Sequence, residues 1–325
     1  MNEFDLIKQF FNRSPASGDL GVGDDCSLFL PEAGMQLATS VDMLVEGQHF
    51  FSDVDPYLLG HKALAVNLSD LGAMGAVPRA CWLALSLPSV QTDWLAAFSA
   101  GFFRLAQQAN CPLLGGDTTR SPQGIVISIT VMGQLPVGQG LLRSAAQPGD
   151  DIWVTGQLGA ADIALRLLQE QLSPNPDLLA QCRPALEEPW PPYQFGAALT
   201  GVAHAAIDVS DGLVQDLHHI LLASDCGGQI DVRELPIAPA LRGLPTPLIE
   251  QAVLTGGDLF ELCFTAAPAR REQILGLAHR HAVSVSRIGR VQAGAGLYLF
   301  DGSSTRPAPE RGGFDHFAPV GSTHG

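Results

Sequence analysis

Lysine is scarce in this chain of 325 residues, which contains only Lys8 and Lys62. The Gly-x-x-x-x-Gly-Lys-Ser/Thr sequence is absent, and this excludes a P-loop nucleotidase. Positive charge is scarce overall, because 18 lysines and arginines stand against 33 aspartates and glutamates, for a formal net charge of −15. Such a surface repels polyanions, so we expect bound cations and no nucleic-acid partner.

Paired cysteine motifs and long apolar runs are lacking as well. The six cysteines include no Cys-x-x-Cys pair and several lie in apolar runs, which predicts buried, reduced thiols. The N-terminus carries acidic residues and no uninterrupted apolar core, unlike a signal peptide. The most apolar stretch, residues 71–88, is interrupted by Pro78 and Arg79 and holds no span of the length that a bilayer requires. We therefore expect a cytoplasmic protein without membrane contact.

The length favours two domains, and 46% hydrophobic residues with 35 glycines and 23 prolines are typical of a turn-rich α/β or α+β protein. The apolar periodicity predicts strands at 36–45, 80–87 and 124–135, and helices at 55–75 and 93–110. A run rich in proline and glycine, residues 136–151, then breaks the pattern. We place the boundary near residue 146, giving domains 1–145 and 146–325. The second half again predicts strands, glycine turns and amphipathic helices.

Carboxylates recur at the ends of apolar strands or in glycine-containing turns. They are Asp24, Asp25, Asp42, Asp70, Asp117, Asp208 and Asp211. Each one singly fits a helix cap or a turn. Together they predict bound cations, because burying several unpaired carboxylates costs kcal/mol each.

Asp70 is the most informative of these carboxylates. In a helix from about His61 to Met74, Asn67 and Asp70 share one face, whose other members are small and apolar. That face is either exposed on the surface or turned towards something polar and partly enclosed. The lack of charged neighbours favours the enclosed alternative, and we expect ligand contact.

Two further stretches combine groups that suit phosphate and Mg²⁺. Residues 115–122, GGDTTRSP, predict a turn that is either an ordinary loop or a site where Asp117 holds a metal while the glycines allow phosphate to approach closely. In DVSDGL, Asp208, Ser210 and Asp211 precede a helix whose N-terminal N–H groups favour an anion, or else they cap that helix. Arg143, in the linker, is either a phosphate ligand or a solvated side chain.

Seven motifs mark the chain from one end to the other. They are GVGDDCSL, SVDMLVEGQHF, HKALAVNLSDLGAMGAVP, LLGGDTTRSP, AIDVSDGLVQDLHHI, TGGDLFELCFT and GFDHF. In order and spacing they resemble thiamine-monophosphate kinase along nearly the whole chain. Its superfamily also contains aminoimidazole ribonucleotide synthetase, selenophosphate synthetase and a hydrogenase maturation protein.

The resemblance implies a two-domain, aminoimidazole ribonucleotide synthetase-like α/β (α+β) fold, with an N-terminal mixed sheet and helices and a C-terminal α/β sandwich. It implies a homodimer that phosphorylates thiamine monophosphate to thiamine pyrophosphate with ATP and several Mg²⁺ ions, by direct in-line transfer. The implied metal ligands are Asp25, Ser40, Val41, Asp42, Asp70, Asp117, Asp208 and Asp211. The implied ATP ligands are Gly116, Asp117, Arg143 and Ser210. The implied substrate contacts are His49, Asp258 and Phe314. The implied catalytic residues are Asp42, Asp117 and Arg143.

The chain departs from the family pattern at several positions. Val41 stands where a hydroxyl residue is usual, so its ligation has to come from the backbone carbonyl. The usual GGEDYEL is GGDLFEL in this chain. The shorter Asp258 therefore replaces a glutamate, and Leu259 replaces an aspartate. Glu188 and Pro192 replace the two arginines of an Arg-Pro-x-Pro-Arg segment. These changes concern substrate contacts more than metal ligands.

Three alternatives remain open at this point. One is a sister enzyme of the superfamily that acts on another phosphorylated or carboxylated small molecule. A selenophosphate synthetase would need a reactive N-terminal cysteine with a nearby lysine, and Cys26 has no such lysine. Another is a catalytically silent sensor of thiamine phosphates or nucleotide, and the third is a structural cation-binding protein. On pattern alone, His49 is a packed histidine.

Overall fold

The computed structural model describes residues 3–13, 15, 18–23 and 25–309. The chain divides into two compact units, one of Met1–Leu71 with Ala76–Gly140, the other of Gly72–Gly75 with the chain from Leu141 onward. The predicted boundary near residue 146 stays a prediction, since compactness does not test independent folding.

The part of the chain up to Gly140 builds a mixed four-stranded sheet with helices. Its elements are α1 (Glu3–Leu6), a π-helical turn (Ile7–Phe11), β1 (Met35–Val45), α2 (Pro56–Ala73), β2 (Val77–Leu87), α3 (Thr92–Gln108), β3 (Leu113–Arg120) and β4 (Val126–Pro136). The strand order is β1-β4-β2-β3, with β1 and β2 antiparallel to β4, and β2 parallel to β3. The mixed sheet predicted for this half is confirmed.

Helix α2 is the buried centre of this unit. Asp55 begins it by accepting a hydrogen bond from the backbone N–H of Tyr57 at 2.9 Å, and Pro56 occupies its first turn, where a missing N–H costs nothing. A Cβ on Gly60 would lie 2.0 Å from the carbonyl oxygen of Phe98, so only glycine allows α3 to approach this closely. The apolar periodicity at residues 55–75 predicted this helix.

Residues 115–122 are not the turn that their composition predicts. Strand β3 continues through Arg120 and pairs in parallel with β2, with Leu83 opposite Gly116 and Ala84 opposite Asp117. Glycine and aspartate are turn formers, but the parallel pairing with a neighbouring strand overrides that local preference. Asp117 therefore lies on a strand, a more rigid support than a loop.

The second unit is built on a seven-stranded sheet of order β11-β10-β7-β9-β5-β8-β6. Its elements are β5 (Asp151–Thr155), α4 (Ala160–Leu168), α5 (Pro176–Glu187), α6 (Tyr193–Ala198), β6 (Ala205–Val209), α7 (Leu213–Ala223), β7 (Gly227–Asp231), α8 (Thr246–Thr255), β8 (Glu261–Ala266), α9 (Arg271–His281), β9 (Val285–Gln292), β10 (Leu297–Phe300) and β11 (Thr305–Pro307). All pairs are antiparallel except β7 with β10.

Both faces of this sheet are covered by helices. Ile152 and Val154 belong to a core cluster with residues of α4, α5, α7 and α8, whereas Trp153 belongs to a second cluster with residues of α6 and α9. Because side chains alternate along a strand, these two clusters lie on opposite faces. The predicted C-terminal α/β sandwich is confirmed.

The cysteines are all free, as expected, but one of them is not buried. Cys81, Cys111, Cys182, Cys226 and Cys263 are buried, and Cys26 is exposed. The prediction of a buried thiol is wrong for Cys26, whose neighbours Asp25 and Ser27 are polar. Among the helices of the described residues, none has the length and apolarity needed to cross a bilayer.

Candidate functional site

Strand β1 and helix α2 bring three of the predicted metal ligands together. Ser40 and Asp42 are two positions apart on β1 and therefore point to the same side of the strand. The hydroxyl of Ser40 donates a hydrogen bond to the carboxylate of Asp70 on α2. Val41 points to the other side and its side chain is 57% exposed, so only its backbone carbonyl is suited to ligation.

Asn67 connects the same two elements. The backbone N–H of Asp42 donates to Oδ1 of Asn67 at 3.1 Å, and Nδ2 of Asn67 donates to the carbonyl oxygen of Ala63 at 3.1 Å. Asn67 is only 1% exposed, so the face of α2 that carries Asn67 and Asp70 is the enclosed one. Contact of that face with a ligand stays a prediction.

The electrostatics of this cluster favour a bound cation. Burial raises the pKa of Asp42 to about 6, and the charge of Asp70 adds to the increase. Two carboxylates and a hydroxyl are hard oxygen donors of the type that Mg²⁺ prefers. Among the described residues, no three His, Cys, Asp or Glu side chains are grouped so as to hold a metal alone. The donor set therefore fits Mg²⁺, which commonly takes one or two carboxylates and completes its shell with water and substrate phosphate.

A cavity of about 860 Å³ in the first unit contains three more predicted residues, Asp25, Gly116 and Asp117. Its apolar lining includes Phe11 and Trp82. The cavity thus combines flat apolar surfaces with carboxylates and backbone.

Close packing holds the wall of this cavity in place. The indole N–H of Trp82 donates to the hydroxyl of Ser27 at 2.9 Å. A Cβ on Gly116 would lie 1.9 Å from the carbonyl oxygen of Leu83, so no other residue fits there without moving β2 or β3. The backbone at Gly116 is therefore accessible to a ligand at a fixed position.

His49 follows β1 in a turn and is oriented by the backbone. Its Nδ1 accepts the N–H of Val45 at 3.0 Å. A backbone N–H can only donate, so the neutral ring carries its proton on Nε2. This geometry provides a donor suited to an anionic oxygen, and the role of His49 in substrate binding stays a prediction.

In the second unit, the predicted residues Asp208, Ser210 and Asp211 lie where β6 leads into α7. The neighbouring loop after α8 contacts this turn through its backbone, because the N–H of Asp258 donates to the carbonyl oxygen of Ser210 at 2.8 Å. Asp258 has a φ of +58° and Phe260 a φ of +52°, conformations that are uncommon for residues other than glycine. Strain of this kind is often found at ligand sites.

The anion expected at the start of α7 is a side chain of the protein itself. The carboxylate of Asp216 accepts the N–H of Asp211 at 3.1 Å and that of Gly212 at 3.0 Å. The prediction that these N–H groups attract an external anion is therefore wrong for this pair. The role of Asp216 was not predicted from the sequence, although a carboxylate in the first turn that bonds back to the N-cap is a known capping pattern.

Arg143 is exposed and belongs to a 3-10 turn at the start of the second unit. Its carbonyl oxygen accepts the hydroxyl of Ser224 at 2.8 Å, which fixes the turn against the end of α7. The pKa of His219 is lowered by burial and then by the charge of Arg143, and it is raised by Asp211. Arg143 and Asp211 thus lie near the same histidine.

A buried carboxylate next to Asp258 was also missed. Glu261, the first residue of β8, accepts a hydrogen bond from the hydroxyl of Thr155, and this hydroxyl accepts the N–H of Leu262 at 2.8 Å. Burial raises the pKa of Glu261 to about 7, and the bond from Thr155 opposes the increase only in part.

Three positions at which the chain departs from the family pattern lie in the second unit. Leu259 is buried in the larger core cluster, so an apolar residue is accommodated where the family has an acid. Glu188 is the residue that ends α5, and Pro192 directly precedes α6. Phe314 and Asp24 lie outside the described residues.

Two family descriptions match the chain. The family described as AIR synthase related protein, N-terminal domain, matches residues 23–135, and the one described as AIR synthase related protein, C-terminal domain, matches residues 147–302. Together they span most of the chain and both units.

The chain is similar to named proteins over almost its whole length. It is 42% identical to the thiamine-monophosphate kinase of Escherichia coli strain K12, over 97% of this chain and 98% of that protein. The thiamine-monophosphate kinase structure from Stenotrophomonas maltophilia K279a superposes with a TM-score of 0.81 at 44% identity, covering 88% of this chain and 92% of that one. AaThiL complexed with AMPPCP and TMP superposes with a TM-score of 0.76 at 26% identity, covering 89% of each chain.

Proposed function

The chain belongs to the thiamine-monophosphate kinase family, and on that premise we propose that it transfers the γ-phosphoryl group of ATP to thiamine monophosphate, giving thiamine pyrophosphate and ADP. The observation that carries the proposal is the identity of 42% with a relative of that name over 97% of this chain. The relative complexed with AMPPCP and TMP supports an ATP donor and this acceptor.

The acceptor needs no general base. A phosphate monoester has a second pKa of about 6, so its attacking oxygen is already ionised in large part at neutral pH. In a direct in-line transfer this oxygen forms a bond to the γ-phosphorus while the bond between that phosphorus and the β–γ bridging oxygen breaks. The obstacles are the repulsion between two polyanions and their alignment, which positive charge and positioning remove.

We propose that several Mg²⁺ ions are held by the predicted oxygen donors. In the first unit these are Asp25, Ser40, the carbonyl of Val41, Asp42, Asp70 and Asp117, and in the second unit they are Asp208 and Asp211. The cations would neutralise phosphoryl oxygens during transfer. Support comes from Asp42 and Asp70, because burial and then the charge of Asp70 raise the pKa of Asp42. Asp42 and Asp117, together with Arg143, are the residues that we assign to catalysis.

We propose the cavity around Gly116 as the nucleotide site. Trp82 and Phe11 offer flat apolar surface to a base, whereas Gly116 and Asp117 lie on the strand that would face the phosphates. In the second unit, the guanidinium of Arg143 and the hydroxyl of Ser210 are assigned to ATP as donors to phosphoryl oxygens.

Thiamine monophosphate carries a negative phosphate and a positive thiazolium ring, and the proposed contacts match both charges. His49 would present its Nε2 proton to a phosphate oxygen, since Nδ1 is occupied by the backbone of Val45. The carboxylate of Asp258 would attract the cationic ring. Phe314 is assigned to the same substrate by family pattern alone, because it lies outside the described residues.

We further propose a cytoplasmic homodimer. On β1, Val41 and Met43 point away from α2 and are apolar and exposed, at 57% and 54%, and this favours contact between two copies. Six free cysteines favour a reducing compartment. The acidic composition gives no reason to expect a nucleic-acid partner.

The experiment that tests the function is chromatographic detection of thiamine pyrophosphate. The purified chain is incubated with ATP, Mg²⁺ and thiamine monophosphate, and in parallel with free thiamine as the acceptor. We expect product from the monophosphate only, and none when EDTA is added. Binding of ATP and Mg²⁺ without any product would contradict the kinase and favour a sister enzyme or a sensor.

A further inference from the structure

The side-chain amide of Asn67 joins the two elements that carry Asp42 and Asp70. It accepts the N–H of Asp42 and donates to the carbonyl oxygen of Ala63, each at 3.1 Å. The two bonds fix the orientation of the amide, because its oxygen can only accept and its nitrogen can only donate. One side chain thus ties the backbone of β1 to the backbone of α2.

A buried asparagine inside a helix lowers the free energy of unfolding unless its hydrogen bonds compensate. Asparagine is a poor residue for a helix interior, since its side chain competes with the backbone for hydrogen bonds. At 1% exposure it has almost no access to water, and Ala63, Leu64 and Leu71, one turn away on α2, are buried and apolar. A buried polar side chain that breaks a local preference points to a functional site.

Asn67 lies next to both proposed ligands. It bonds to the backbone of Asp42 on β1 and stands three positions before Asp70 on the same face of α2, so one side chain positions the two relative to each other. The hydroxyl of Ser40 is a second link between the same elements. Asn67 contributes the link that carries no charge and acts on the backbone of Asp42 itself.

We propose that Asn67 is a positioning residue of the magnesium site, which holds Asp42 and Asp70 at the spacing a cation needs before the cation binds. The inference rests on the proposed function, since it concerns the metal of that same site. Outer partners that orient metal ligands typically matter about 10-fold to 100-fold in metal affinity. We expect an effect of that size from Asn67.

One substitution removes the link to β1 and keeps the bond within α2. Asn67→Ser has a hydroxyl that can bond to the carbonyl of Ala63 four residues earlier, but it is too short to reach β1. The matched control is Ser69→Ala, which removes an equally buried side-chain group of α2 whose hydroxyl has no hydrogen-bond partner among the described residues.

Two readouts are measured for each protein. The first is the rise in melting temperature with increasing Mg²⁺, which needs no activity. The second is the Mg²⁺ concentration that gives half-maximal formation of thiamine pyrophosphate. We expect Asn67→Ser to require at least about 10-fold more Mg²⁺ in both measurements, while Ser69→Ala stays within about threefold of the original protein. Melting without metal shows whether each variant is folded.

Several outcomes would overturn the proposal. It fails if Asn67→Ser binds Mg²⁺ like the original chain, or if Ser69→Ala is weakened as much as Asn67→Ser. It fails also if Mg²⁺ does not stabilise the original chain at all. A chain that is stabilised by Mg²⁺ but makes no thiamine pyrophosphate contradicts the proposed function alone, and the thermal comparison still decides the role of Asn67.

Discussion

Asp42 on β1 and Asp70 on α2 lie close enough for the charge of Asp70 to contribute to the raised pKa of Asp42, which is about 6. Burial is the larger cause of that increase. Without a cation, holding Asp42 ionised at neutral pH therefore costs stability. A pair of carboxylates kept at such a cost is typical of a site selected for binding rather than for folding.

The first prediction concerns Asp42→Asn, which should change stability and activity in opposite directions. The unfolded pKa is near 3.8 and the folded pKa near 6, so at pH 7 the ionised group destabilises the folded protein by roughly 2 to 3 kcal/mol. Asparagine removes that cost, and calorimetry in EDTA at pH 7 should show a higher melting temperature. Phosphoryl transfer should fall by about 100-fold or more, because a metal ligand is lost.

The exposed Asp53 in the same unit is the control for this variant. Asp53→Asn should leave both the melting temperature and the transfer rate nearly unchanged. Retained activity in Asp42→Asn would remove Asp42 from the metal site, and an unchanged melting temperature would show that its burial carries no cost.

The second prediction is a pH dependence of stability caused by Glu261. Its folded pKa of about 7 lies above the ordinary 4.5, so between these values the folded protein keeps a proton that the unfolded chain has lost. Stability from this group is fully present below pH 4.5 and is lost as the pH rises towards 7. Urea unfolding between pH 5 and 8 should show the original chain losing up to about 3 kcal/mol relative to Glu261→Gln.

Comparison with a second variant isolates the effect of Glu261. Glutamine keeps an oxygen for the hydroxyl of Thr155, so the difference between the two proteins reports ionisation rather than a lost bond. The exposed Glu170, changed to glutamine, should follow the original chain at every pH. A constant difference across the range would mean that Glu261 is ionised throughout.

Much of the fold was predictable because strong apolar periodicity marks long elements such as α2 and β4. The strand character of Gly116 and Asp117 was not, since it depends on parallel pairing with Leu83 and Ala84, distant in sequence. Local composition alone gives a turn there. Similarly, the helix face of Asp70 was predictable, but its partner on β1 was known only through family resemblance, because tertiary distances do not follow from spacing.

The turn before α7 is a second place where the sequence did not predict the hydrogen-bond partner. The N–H groups of Asp211 and Gly212, which were expected to bind an external anion, instead bond to the side chain of Asp216. Only the three-dimensional turn shows that the carboxylate reaches back to Asp211 and Gly212. The site residues of this turn stay predictions, while the hydrogen bonds that hold it are observed.

The third prediction tests Arg143 as a phosphate ligand. Arg143→Ala should lower kcat/KM for ATP by about 10-fold to 100-fold, since a charge-assisted hydrogen bond to phosphate contributes about 1.5 to 3 kcal/mol. Steady-state kinetics with varied ATP measures the change. Arg242→Ala, which removes another exposed arginine of the second unit, should have no such effect. Equal kinetics in the two variants would show that Arg143 is a solvated side chain.

The fourth prediction concerns the close approach of β2 and β3. In Gly116→Ala the new Cβ would lie 1.9 Å from the carbonyl oxygen of Leu83, so one strand has to move. We expect a loss of about 2 kcal/mol or more in the free energy of unfolding, and weaker binding of ATP. Gly138→Ala is the control, because its Cβ meets nothing within 4 Å and only its φ of +77° is unfavourable. A Gly116→Ala protein as stable as this control would contradict the steric argument.

The last prediction concerns Asp258, which is shorter than the glutamate usual in the family. Asp258 has a left-handed φ of +58°, a conformation in which aspartate and asparagine are enriched several-fold. Asp258→Asn should therefore keep the fold and raise KM for thiamine monophosphate while KM for ATP is unchanged, because the attraction of the carboxylate to the thiazolium is lost. Asp258→Glu keeps the charge but fits this backbone less well, so it should lower the melting temperature slightly and retain substrate binding. If both variants bind thiamine monophosphate like the original chain, Asp258 shapes the loop and does not contact the substrate.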